Sequence, residues 1–163
     1  MDKNLQEANF PVSEISIRVF APGDEEAVVR LWNKVAEADR DIGNMTAETF
    51  RKKVIENPNF DPKGAFLAYS AKVLVGFCLV AIRREPFRVR SLEEFPAFIS
   101  AIMVHPFYRR RRIGSRLISE VVGYAKSRGK KEIQIGYDNP IPLFISVDIN
   151  RKGIIEFFTK QGF

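Results

Sequence analysis

Apolar residues recur along the chain with two different periods, and the points where the period changes divide it into elements. Ile15, Ile17 and Val19 alternate with Ser16 and Arg18, the two-residue period of a half-buried strand. Ala21-Pro22-Gly23 turns the chain. Asp24 then stands at a helix start, with Glu25 and Glu26 in the first turn and Ala27, Val28, Leu31, Trp32 and Val35 on one stripe. That stripe assigns Trp32 to core packing. Thr46 precedes a second stripe, Phe50, Val54 and Ile55, which ends before Pro58. A loop rich in proline and glycine follows over 57–64. Ala65 to Tyr69 and Val73 to Ile82 read as two strands joined by a turn near Ser70-Ala71-Lys72. Gly76 inside the second marks a bulge or a close backbone approach. Arg83 to Glu94 is a charged connection, either a solvated loop or the lining of a cleft. Glu132 to Tyr137 is another strand, and Asp138 to Asn150 is a proline-bearing connection with an apolar middle, Leu143-Phe144-Ile145. Ile154, Ile155, Phe157 and Phe158 form the stripe of a last helix, closed by Gly162. The order is β-α-α-β-β-β-α-β-α, one domain over 14–163 behind a polar tail at 1–13.

The stretch from Ala97 to Gly129 organises the rest. Phe98-Ile99-Ser100-Ala101-Ile102-Met103-Val104 is an apolar run without a helical stripe, halted by His105-Pro106. Phe107-Tyr108-Arg109-Arg110-Arg111-Arg112 leads into a helix whose stripe is Ile113, Leu117, Ile118, Val121, Val122 and Ala125, with Gly129 at its end. A loop that enters a helix directly from a strand presents unpaired N–H groups and the positive end of the helix dipole. Four arginines beside those donors favour a polyanion, so the unit reads as a pyrophosphate cradle. The alternative is a solvated basic turn of an ordinary βα unit.

Composition narrows the field. The 163 residues suffice for a real core, and 45% hydrophobic with 28% charged residues are ordinary globular values. The net charge of +6 suits a phosphate-bearing ligand, nucleic acid or an anionic surface, without choosing among them. Cys78 is the single cysteine, so an internal disulfide is excluded, and its apolar surroundings assign it to the core. The polar N-terminus does not resemble a signal peptide, and no apolar run approaches the ~20 residues a membrane helix needs. These features predict a cytoplasmic protein that does not engage a membrane.

Val104-His105-Pro106, Arg109-x-x-Arg112-Ile113-Gly114-Ser115 and Leu117-Ile118 resemble the acyl-CoA-binding motif of the GNAT superfamily of N-acyltransferases. That motif usually reads Arg/Gln-x-x-Gly-x-Gly/Ala after a strand ending in Val-x-Pro. Arg112 stands where the first glycine is expected. Ile155-x-Phe157-Phe158-Thr159-Lys160-Gln161-Gly162-Phe163 is similar to the family's second motif, Ala-Ile-x-Phe-Tyr-Glu-Lys-x-Gly-Phe, with Phe158 at the tyrosine position. The resemblance spans 14–163. It implies an α/β (α+β) GNAT fold: a mixed, mostly antiparallel sheet, splayed at the CoA site and flanked by helices. Members continue past Gly-Phe into at least one more strand, so the final C-terminal strand is missing. The expectation is the N-terminal part of a longer or tandem member, or a homodimer that covers the edge of the 132–137 strand.

The resemblance further implies acetyl-CoA as donor. Pantetheine would pair with the backbone of Ile102, Met103 and Val104, and Arg109, Arg110, Arg111, Arg112, Ile113, Gly114 and Ser115 would hold the phosphates. The reaction is acetyl transfer to a primary amine of an unspecified acceptor. Such transfer needs a neutral amine, a stabilised oxyanion and a departing thiolate. Keeping a lysine amine neutral at pH 7 costs roughly 4–5 kcal/mol, against about 1 for an α-amine. Candidate bases by location are Glu85, Glu93, Glu94, Tyr137 and Asp138, with Glu94 and Glu93 foremost. Phe158 has no proton to donate, and His105, the only histidine, reads as structural. Two rival readings stand: a degenerate GNAT domain with a binding or regulatory role in a tandem protein, and a nucleic-acid-binding module built on Arg109–Arg112. The aromatic residues do not interleave with those arginines as a stacking platform would. No metal is expected.

Overall fold

The computed structural model describes residues 14–39, 42–86, 91–136, 138–143 and 152–163. The expected tail at 1–13, the arginines Arg88 and Arg90, Tyr137 and the Phe144–Asn150 part of the proline-bearing connection lie outside the described residues.

Among the described residues, five strands form one sheet in the order β1 (Ile15–Val19), β2 (Ala65–Ser70), β3 (Val73–Ile82), β4 (Ala97–Val104), β5 (Ile133–Gln134). Pairing is antiparallel from β1 to β4 and parallel between β4 and β5. Helix α1 (Glu25–Ala38) and the short α2 (Ala47–Phe50), which widens into a π-helical turn over Arg51–Ile55, cover one face. Trp32, Phe50, Val54, Phe77 and Met103 pack there. Helices α3 (Ile113–Ser127) and α4 (Lys152–Lys160) serve the other face, with Cys78, Val80, Ile113, Leu117 and Phe158 beneath them. Burial pushes the Cys78 thiol far up, as an inert core thiol requires.

Most predicted elements form for the expected reasons. Thr46 caps α2, its hydroxyl accepting the Thr49 N–H at 3.0 Å. Gly129 adopts φ +71° after α3, and the Lys130 N–H returns to the Ala125 carbonyl. Other expectations need correction. Asp24 sits at the N-cap of α1 but gives the helix no side-chain cap. Its carboxylate turns back to the Ala21 N–H and to the Arg18 guanidinium, whose two nitrogens grip it at 2.6 and 2.7 Å. That pairing, helped by the Ala21 N–H, holds the Asp24 carboxyl below the usual range. Val19 is 44% exposed rather than half-buried, and β5 covers two residues rather than six.

Two features seat α3. At its C-terminal end, Asp61 accepts the Lys63 N–H at 2.9 Å, the Tyr124 hydroxyl at 2.9 Å and Arg128 at 2.7 Å, with Arg84 also 2.9 Å away. Burial works against that charge, but the donors outweigh it and keep the carboxyl below its usual range. Burial and the neighbouring carboxylate raise the Tyr124 hydroxyl to about 12. At the N-terminal end, Gly76 lets α3 settle against β3. A Cβ there would lie 2.9 Å from Ile113 Cγ2, 3.1 Å from Leu117 Cδ1 and 3.2 Å from Ala68 Cβ. Close approach therefore explains this glycine, and it brings the start of α3 over the end of β4.

Gly76→Val is expected to destabilise the domain by ~1–3 kcal/mol, because the branched side chain pushes α3 off the sheet. Gly123→Ala, where an added Cβ meets nothing within 4 Å, should stabilise it by ~0.5–1 kcal/mol through helix propensity. Urea midpoints of the two variants check both signs.

Candidate functional site

The site begins where β4 loses a partner. The strand is paired with β3 along its length, but β5 follows it only at Ala97↔Ile133 and Phe98↔Gln134. Beyond that point the chain leaves through Gly136 (φ +117°) and Asp138 (φ +67°), so β4 and β5 form a fork.

A bulge decides which backbone groups face the fork. Leu79 pairs with Ala101 and Val80 with Ile99, leaving Ser100 as an extra residue in β4. Before it, the Ala97 N–H points to Glu132 on the β5 side. After it the parity is reversed. The His105 N–H reaches Val75 of β3 at 2.8 Å, and strand alternation turns Met103 toward its partner Phe77 in the same direction. The backbone groups of Ile102 and Val104 therefore face the fork. Of the three residues expected to pair with a ligand arm, Ile102 and Val104 are placed for it, whereas Met103 serves the sheet.

The β4 end passes through a short turn, Pro106–Tyr108, into the arginines. His105 Nδ1 accepts the Phe107 N–H at 3.3 Å, and its ring meets Tyr108 edge-on at 5.6 Å. Burial, with Lys34 and Arg109 nearby, lowers its pKa below the ordinary histidine value, which favours the neutral ring that Nδ1 needs to accept the Phe107 N–H. Arg109 donates from Nε to the Val104 carbonyl at 3.3 Å.

Arg110 and Arg112 both adopt left-handed backbone, at φ +64° and +60°. Left-handed turns aim successive N–H groups into one concavity, an anion nest. Among the described residues, nothing accepts a hydrogen bond from the amides of 110–115. Arg111 lies over the Tyr108 ring at 5.1 Å, and its Nη1 is buried with no acceptor. A row of free amides beside an orphaned guanidinium nitrogen fits a phosphate-bearing ligand. The left-handed Arg112 also shows that the position does require the backbone a glycine supplies.

Helix α4 closes the back of this loop. A Cβ on Gly114 would lie 3.1 Å from the Phe157 ring, and Gln161 Nε2 donates to Ser115 Oγ at 3.1 Å. Gly114 thus leaves room for the Phe157 ring of α4. Phe158 is buried among the α3-side core residues and meets Phe157 and Phe163 edge-on at 5.1 and 5.6 Å.

The candidate bases are scattered. Glu93 and Glu94 are exposed in the turn entering β4, the strand end opposite the cradle, and among the described residues neither carboxylate meets a hydrogen-bonding partner. Glu85 is exposed beyond β3. Among the described candidates, Asp138 follows β5 at the fork, its carbonyl accepting Arg83 Nη2 at 2.6 Å, while Tyr137 lies outside the described residues. Sequence reasoning missed Asn139. This buried residue bridges the bulge, accepting from Ser100 Oγ at 3.0 Å and donating to the Ile99 carbonyl at 3.2 Å. The Asp138-Asn139-Pro140 turn signal was its only trace.

Exposed Arg112 bears about 1 kcal/mol of left-handed strain. Arg112→Gly should raise stability by up to ~1 kcal/mol in urea unfolding and leave the cradle intact; a loss of stability would mean that the arginine side chain holds the loop.

The model of the "Acetyltransferase (GNAT) family" matches residues 27–163. Mycothiol acetyltransferase of Thermobispora bispora is 31% identical over 126 residues, 76% of this chain and 41% of that protein. An uncharacterized N-acetyltransferase of Methanocaldococcus jannaschii is 36% identical over 67 residues, 41% of this chain and 25% of the relative. The chain thus spans less than half the length of these curated relatives. The solved structure of AAC(6′)-Iy in complex with a CoA-linked bisubstrate analog superposes with a TM-score of 0.66 at 16% identity, over 93% of this chain and 91% of that one, which is a likeness of fold. The family match spans β4, the basic loop and both helices α3 and α4: the chain belongs to the GNAT acetyltransferase family.

Proposed function

We propose that this domain transfers an acetyl group from acetyl-CoA to the primary amine of an acceptor. The observation that carries the reading is the row of free amides over 110–115 beside the orphaned Arg111 Nη1, at the mouth of a strand fork. In that reading the nest and the α3 dipole hold the pyrophosphate, and Arg110 and Arg111 supply charge to the nucleotide phosphates. Ile102 and the Val104 N–H offer backbone groups to the amides of pantetheine, as an added strand would use them, while the Val104 carbonyl is held by Arg109. The thioester supplies an activated acyl group whose thiol, with pKa about 8.5, leaves without a dedicated acid. Phe158 accordingly packs and does not titrate. Asp138 is the candidate base the chain brings nearest the fork, and an α-amine acceptor demands least of it. The cytoplasm, where thiols stay reduced, suits the single buried Cys78.

Calorimetry with acetyl-CoA should show binding that weakens with salt, and Arg111→Gln should weaken it ~10–100-fold, as expected for a lost charged hydrogen bond. A thiol-release assay across an amine panel then reads turnover. Binding without turnover on any amine would favour the degenerate domain. Absence of CoA binding, with steeply salt-dependent affinity for duplex DNA, would overturn the reading for the nucleic-acid one.

Among the described residues β5 ends the sheet, and a hollow of about 310 Å³ beside it is lined by Ile133, Gln134, Ile135 and Phe163. We read this edge as one covered by a second domain or a second copy. Sedimentation of the 163-residue chain should show association that grows with concentration and is suppressed by Gln134→Lys; ideal monomer behaviour at high concentration would contradict it.

A further inference from the structure

The fork has an inner end, and among the described residues the Asn139 side chain is hydrogen-bonded across it. A ligand arm that starts at the nest can only run down β4 from Val104 toward Ser100, because Ile102 and Val104 hold the backbone groups that face the fork. Four residues of strand span roughly 13 Å. At the end of that run stands the amide of Asn139. Its Oδ1 accepts both the Ser100 hydroxyl at 3.0 Å and the Ile141 N–H at 2.9 Å, while Nδ2 donates to the Ile99 carbonyl at 3.2 Å. Asn139 is 8% exposed, and Ser100 and Ile141 are fully buried. Both lone-pair directions of the oxygen are used, so the amide cannot swing aside without leaving the bulge hydroxyl and a strand carbonyl unpaired.

We propose that Asn139 is the stop at the inner end of the donor cleft and limits the transferred acyl group to about two carbons. This rests on the acyl-CoA reading above and adds the residue that sets donor length. The chemistry is steric. A two-carbon acyl group ends before the amide, whereas each added methylene must displace a side chain fixed by three hydrogen bonds. Asn139→Ala removes three heavy atoms and opens room for about two methylenes. Asn139→Asp keeps the shape and both accepted hydrogen bonds. Asn139→Leu keeps the filling volume while discarding the polar contacts.

The test measures acetyl-CoA and butyryl-CoA side by side, as calorimetric affinity without acceptor and as kcat/KM with an accepted amine. Wild type should favour acetyl-CoA at least tenfold. Asn139→Ala should narrow that preference at least tenfold, while Asn139→Asp and Asn139→Leu should keep it even where their unfolding midpoints fall. A purely structural role would lower stability in all three variants without moving the ratio. A folded Asn139→Ala with an unchanged ratio, or a wild type that takes butyryl as well as acetyl, would overturn the assignment and leave the acyl-CoA reading standing. Wild type that binds neither thioester would overturn both.

Discussion

The one-residue bulge at Ser100 is the constraint on which the site depends. A strand paired on both sides has no backbone to spare, and β4 would be such a strand if β5 followed it to its end. The parting of β5 after Gln134 frees one edge. The bulge then sets which residues own that edge, turning Ile102 and Val104 outward and leaving Met103 to β3. Freed edge groups in a protein interior are costly unless something meets them. Asn139 meets the Ile99 carbonyl at the bulge, and at the mouth Arg109 Nε meets the Val104 carbonyl.

The nest depends on the same strand. Gly76 admits α3 close against β3, and at the start of the helix a Cβ on Gly114 would lie 3.9 Å from Val104 Cγ2 at the end of β4. Phe157 against Gly114 and Gln161 on Ser115 fix the loop from behind. The Asp61 clasp secures the far end of α3. Two arginines in left-handed backbone are the local cost of the nest. Arginine there trades strain for charge where a glycine would relieve it.

The sequence made the fold legible because apolar period and turn chemistry agreed in most segments, from the α1 stripe to the Thr46 cap and the Gly129 terminus. The cradle was legible for the same reason: strand, basic loop and helix follow one another without interruption. What stayed hidden depended on residues distant along the chain. Ser100 looked like one more position in an apolar run, and only its partner Asn139, thirty-nine residues on, makes it a bulge with a purpose. The β5 strand shortened because Gly136 and Asp138 take left-handed backbone, which a run of apolar residues does not reveal. Asp24 failed as a cap because Arg18, on a neighbouring strand, claims its carboxylate. Candidate bases chosen by sequence proximity proved mostly exposed, since nearness along the chain does not carry a side chain into a cleft.

The central claim is that one contiguous set of backbone amides, Ile102, Val104 and residues 110–115, receives the acyl donor. A nitrogen-15 correlation spectrum recorded during titration with acetyl-CoA tests it directly. The account predicts large shifts at the amides of 102, 104 and 110–115, with Met103 moving less than its two neighbours. Shifts that bypass this set, or none at saturating donor, would contradict it.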